Sequence, residues 1–209
     1  MSSAVSAESR YDQTALPTVL RHGAILGVAQ SLCVLLFSLA YRFLEGPAEL
    51  AVGAVVVLVG VSATTTLPGL WTRARTIEGI AGAAGIGLMA AVVYLVVDVA
   101  ALQPLGTYTN RWLEIGGGSN WWYHPIWWMV GTFLPWMGAQ VLANQVAKGG
   151  SPSAPGLMIM ALGLTAVVGV LAILAGFPGA AWGLGTFSVA FLPGVMLAAI
   201  LTSIGVRRG

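Results

Sequence analysis

The sequence predicts an all-α, polytopic membrane protein: a bundle of six transmembrane helices with both termini in the cytoplasm. Three observations carry this expectation. The chain is too apolar for water, its apolar runs are continuous and of spanning length, and its basic residues segregate when the runs are threaded through a bilayer.

The chain has 209 residues, 57% of them apolar and only 8% charged, with a mean hydropathy of +0.87. A soluble domain carries charge on about a quarter of its residues, and a disordered chain is more polar still. So little polar surface cannot cover a water-facing exterior. The net charge of +2 is small and dispersed, which excludes a nucleic-acid surface. The chain is rich in Gly, Ala and Val, and Lys148 is the sole lysine, giving it a prokaryotic character.

Crossing about 30 Å of hydrocarbon takes about 20 helical residues. Runs of that length are Ala24–Phe43, Leu50–Leu70, Ile80–Leu102, Ile126–Val146, Gly156–Gly176 and Leu184–Val206. Helices are expected over barrel strands because the runs do not alternate between apolar and polar. The first run opens after Arg21 and holds Gln30, Ser31 and Cys33; it ends beyond a Ser38-Leu39-Ala40 triplet that could suit signal cleavage, but it is long enough to remain as a span. The second contains Ser62, Thr64, Thr65 and Thr66 ahead of Pro68, hydroxyls that can bond carbonyls near a proline kink. The third begins with interleaved Gly79, Gly82, Gly85 and Gly87 and forms small-residue pairs such as Ala81/Gly85 and Ala83/Gly87. Small side chains let helices approach closely in lipid, so this helix is expected to be central. Leu67-Pro68, Leu134-Pro135 and Leu192-Pro193 form a weak echo, each in the second helix of a hairpin. The last two runs carry no charge from Gly149 to Val206, which suits a lipid-facing or partner-facing hairpin.

Six spans place both termini on one side. Arg10, Arg21, Arg73, Arg75, Lys148, Arg207 and Arg208 then share the terminal side, against Arg42 and Arg111 on the other. Basic residues mark the cytoplasmic face. The expected organisation is a cytoplasmic tail over residues 1–22, a membrane domain over 23–206 and a short cytoplasmic tail over 207–209, in the cell membrane. Ser2 follows Met1 where N-myristoylation needs glycine, and no prenylation box is present.

Chemistry-bearing residues are sparse. Cys33 is the single cysteine, so it reads as a small buried hydrophobe and no metal cluster is expected. His22 and His124 fall at opposite faces and cannot share a haem iron. Trp121, Trp122, Tyr123, His124, Trp127 and Trp128, with Tyr108 and Trp112 upstream and Trp136 downstream, form an aromatic belt at the outer interface. The density of that segment, preceded by Gly116-Gly117-Gly118-Ser119, also suits a platform for a lipophilic molecule or a partner helix; Arg111 and Glu114 join Trp121, Trp122, His124, Trp127 and Trp128 as its candidate residues. The glycine elbow of serine hydrolases and the Walker phosphate loop are both absent from the sequence.

Asp98 is the one acidic residue well inside a span, with Tyr94 one turn earlier. An ionisable group in hydrocarbon needs a partner or water, and Asp98 is expected near the outer end, hydrated or reaching Arg42 or Arg111. Gln140 and Asn144, one turn apart in the fourth span, read as interhelical glue or as a polar groove. With Asp98 and Tyr94 they are the candidate transport residues.

Three function classes follow, in order of what speaks for them. The first is a non-catalytic accessory or assembly subunit of a membrane complex, with the bilayer and other membrane subunits as partners. A small-solute or ion transporter using Asp98 and kinked helices comes second. Third is a membrane enzyme or cofactor binder acting on a lipophilic small molecule near the outer face, through His124, Glu114, Arg111 and the tryptophans. No particular cofactor is specified by any of these residues.

Overall fold

The computed structural model describes residues 13–108 and 123–206. Among them are six long helices: α1 (Leu16–Phe43), α2 (Gly46–Trp71), α3 (Ile77–Val97, continued by a π-helical turn over Asp98–Leu102), α4 (Tyr123–Ala147), α5 (Ala154–Leu174) and α6 (Leu184–Ser203). Each apolar run of the sequence falls on one of them, although the fifth and sixth helices end at Leu174 and Ser203, two and three residues before the expected ends of their runs. Five, all but α4, are long and apolar enough to cross a membrane. The fourth has comparable length, but its Trp, His, Pro, Gln and Asn residues dilute its hydropathy. It is a helix with protein on several sides, packed against α2, α3 and α6.

The helix ends follow local chemistry. Pro17 and Pro47 sit in the first turns of α1 and α2, where a missing N–H costs nothing. The first helix thus starts eight residues ahead of the apolar run, because Arg21 and His22 continue the helix without belonging to its hydrocarbon stretch. Ser153 caps α5 by accepting from the Gly156 amide at 3.1 Å. The third helix ends differently: the Gln103 amide donates to the Asp98 carbonyl, five residues back, at 2.9 Å. Such wide turns insert a residue and rotate the side chains that follow.

Four helices form a ring in which α3 packs on α1 and α4, and α2 closes the circle against the same two. The α5/α6 hairpin joins this ring mainly through α6 on α4. A core of Leu134, Val141, Leu142, Leu157, Phe191 and Val195 cements that junction. Around the outside, large apolar side chains such as Leu36, Val55, Val96, Ile159 and Leu171 are exposed. An apolar exterior over an equally apolar core is the pattern of helices solvated by lipid.

The third helix packs closely on α1 and α4, as its small residues lead one to expect, but the helix with neighbours on most sides is α4, which alone of the two also packs extensively on α6. Ala83 and Gly87 are buried, whereas Ala81 is exposed and Gly85 only half-buried, so the first pair faces the interior. A Cβ on Gly87 would collide with the Gly131 carbonyl and the Pro135 ring of α4, and one on Gly138 with the Thr65 carbonyl of α2. At these two contacts the backbones themselves touch, which only glycine permits. Thr65 and Thr66 bond back to the Val61 and Ser62 carbonyls at 2.6 and 2.7 Å, one turn before the carbonyls around Pro68.

Candidate functional site

Two ends of the bundle differ in chemistry. At the end where α1 begins and α6 finishes lie Arg21, Arg73, Arg75 and Lys148; at the other end, among the described residues, Arg42 is the only arginine or lysine. The opposite end also holds Asp98, which is 0% exposed.

Asp98 lies on the π-helical turn. Its Oδ1 accepts from the Tyr108 hydroxyl, and its Oδ2 accepts from Gln103 Nε2 at 2.6 Å. His124, at the start of α4, places Nε2 at 4.0 Å from the same Oδ2. The Tyr94 hydroxyl is 3.3 Å from that of Tyr108, and its ring tilts against Trp127 at a centroid distance of 4.2 Å. Residues from α3, the turn after it and α4 therefore converge on one buried carboxylate. The expectation of a hydrated Asp98, or one paired with Arg42, is replaced by this enclosure. Arg42 instead donates to the carbonyls of Gly106 and Thr107, and Ser38 donates to Thr107 as well. Those bonds tie the segment after α3 back onto α1 and hold Tyr108 over the carboxylate.

Chemically, the arrangement can keep a charge in an apolar surround, because two donors replace the water that Asp98 has lost. It can also move a proton. The imidazole is half-exposed beside a shallow apolar depression formed with Val92, Leu95, Val96 and Trp128, so His124 stands between the buried carboxylate and the bundle's outer surface. Tyr108 and Tyr94 extend the chain of exchangeable protons inward.

The other candidate residues separate into distinct places. Gln140 donates to Asn144 at 3.1 Å, and Asn144 donates to Thr202 Oγ1 at 3.2 Å and to the Ala199 carbonyl at 3.4 Å. This pair stitches α4 to α6, far from Asp98. Gln30 donates to Thr64 at 3.1 Å, joining α1 to α2; both line a mostly apolar groove of about 270 Å³ with Cys33, Phe37, Trp127 and Leu134. His22 stacks on Trp71 at 4.7 Å, at the other end from His124. No group of three His, Cys, Asp or Glu side chains suited to a metal occurs among the described residues. Trp121, Trp122, Arg111 and Glu114 lie outside the described residues.

Trp128 and Trp136 face outward. Both are about half exposed and Met129 beside them is more so; with Leu88, Thr132, Phe133 and Leu192 they border a shallow apolar groove along α4. Trp136 sits near the middle of its helix, well away from the helix ends where headgroups would lie.

Sequence reasoning found Asp98, Tyr94 and His124 but did not assign Gln103 and Tyr108 to the carboxylate. Their proximity depends on the π-helical turn, and an ordinary helical spacing would put position 103 on a different face. No protein-family model, no curated protein and no solved structure matches the chain.

Proposed function

We propose that this multi-pass membrane protein is a non-catalytic accessory or assembly subunit of a larger membrane complex, and that α4 offers its outward face to a transmembrane helix of a partner. The observation that carries the reading is Trp136. An indole prefers the headgroup region, where its N–H can be hydrated. Here the ring stands about half exposed near mid-helix, in line with Thr132 and Trp128 one and two turns earlier. A partner helix would cover this stripe and supply contact area that lipid chains supply less well. In the same reading the chain crosses the cell membrane six times with both termini cytoplasmic; the gathering of Arg21, Arg73, Arg75 and Lys148 at the terminal end supports this orientation.

The test is native mass spectrometry of the protein extracted gently from its own membrane. Stoichiometric companion polypeptides are expected, and Trp128→Leu with Trp136→Leu should strip them while leaving the chain folded. A lone chain, or companions retained by the double variant, would overturn the reading.

A second reading has one specific observation in its favour. Asp98, completely buried and 4.0 Å from a half-exposed histidine, is the arrangement expected of a proton-coupled small-solute or ion carrier. In reconstituted vesicles, solute uptake driven by a pH gradient that vanishes in Asp98→Asn would favour it; unaltered uptake would remove its central residue.

A further inference from the structure

The turn after α2 carries a backbone conformation its residue does not favour. Arg73 has φ +50°, and it is the only non-glycine residue with a positive φ among those described. The turn closes α2: the Arg73 amide donates to the Leu70 carbonyl at 3.2 Å, and the Ala74 amide to the Gly69 carbonyl at 3.0 Å. Glycine is the usual occupant of such a left-handed helix cap, because a Cβ crowds the neighbouring carbonyl. An arginine here is held against a steric cost that glycine would avoid.

Arg73 and Arg75 border a notch of about 270 Å³ whose remaining wall includes Leu70 of α2, Leu142 and Val146 of α4 and Pro152 ahead of α5. The Arg73 side chain is exposed and makes no hydrogen bond or ion pair with a described residue, whereas Arg75 is also engaged elsewhere in the chain. The uncommitted charge is therefore Arg73's. The helix dipole alone does not explain it, since a lysine or arginine in the last turn of α2, at ordinary φ, would meet the same carbonyls.

We propose that this notch binds the phosphate of an anionic phospholipid. The guanidinium fork suits phosphate oxygens, and the notch lies at the helix ends, where the spans must meet the headgroup layer. Basic pockets between membrane helices take anionic headgroups on this basis. The apolar wall of Leu70, Leu142 and Val146 selects the source: it accommodates the first methylenes of an acyl chain and gives nothing to a free phosphate ion.

The full chain in detergent is titrated with phosphatidylglycerol, and separately with phosphatidylcholine of the same acyl chains, and bound lipid is counted by native mass spectrometry. One phosphatidylglycerol is expected to bind in preference to phosphatidylcholine, and Arg73→Gly should weaken that binding by about tenfold, the loss of one charge-assisted contact. The glycine suits the backbone, so the thermal unfolding midpoint should stay the same or rise. Arg73→Asn, which also tolerates the left-handed region, should lose the lipid in the same way and guards against a variant that fails to fold. Undiminished binding in both folded variants would reduce Arg73 to a cap and overturn the proposal. So would equal affinity for the two lipids. Displacement by inorganic phosphate at the lipid's own concentration would assign the notch to a free anion and sink the lipid reading.

Discussion

Asp98 shows what one residue can demand of its surroundings. The sequence marks it as the acidic residue in an apolar run, and hydrocarbon makes its need for partners certain. It does not say which partners, because they come from the π-helical turn, from the segment tied down by Arg42 and Ser38, and from α4. Removing the carboxylate while keeping its neighbours should be costly: Asp98→Ala leaves the Tyr108 hydroxyl and the Gln103 amide without their acceptor, a loss of about 2–3 kcal/mol. Asp98→Asn keeps one oxygen acceptor and should lose less than half as much. Unfolding midpoints of the two variants in one detergent check the order; a smaller loss for alanine would mean the cluster is not holding the fold. Gln140 and Asn144 are the contrasting case at this scale. Their helical spacing puts them together in the sequence, and the structure adds only that Thr202 and the Ala199 carbonyl receive Asn144.

At the scale of the helix, close approach is set by individual glycines and not by their number. Gly138 lets α4 rest on the Thr65 carbonyl of α2, whereas Gly163 of α5 has nothing within 4 Å of where a Cβ would stand. Gly138→Ala should therefore destabilise by about 1–3 kcal/mol through overpacking. Gly163→Ala should be neutral or stabilising by up to about 1 kcal/mol from helix propensity. Equal effects in thermal unfolding would contradict the packing of α2 against α4. The glycine-rich start of the third span signals tight packing in the sequence, but Gly138 stands in no such cluster. Its importance arises from the helix opposite it. The proline echo is similarly ambiguous from sequence: Pro68, Pro135 and Pro193 all lie inside helices, and Pro135 in particular packs near Gly87, an interaction the repeated Leu-Pro pair does not reveal.

For the whole molecule, the basic residues and the helix pairing point to one arrangement. Four of the described basic residues gather at the end holding the start of α1 and the finish of α6. A fluorescent reporter fused after Gly209, of a kind that matures only in the cytoplasm, should light up in cells. A phosphatase that is active only outside should stay silent at the same position and become active when inserted in the connection between α3 and α4. Activity of the phosphatase at the C-terminus would reverse the proposed orientation.

What the sequence determined by itself is the helical class, the position of each long apolar helix and the lipid-like solvent it calls for. These depend on composition and on runs of about twenty residues, which act locally through backbone hydrogen bonding and transfer from water. Only the tertiary structure decided that α1 to α4 close into a ring with α5 and α6 beside it, that Asp98 is enclosed, that Trp136 looks outward and that Arg73 borders a notch. Nearly every face of these helices is apolar, so the pattern along the chain does not distinguish a face that meets lipid from one that meets another helix. That choice rests on shape, on which small residue lies opposite which carbonyl, and on where the few polar side chains find each other.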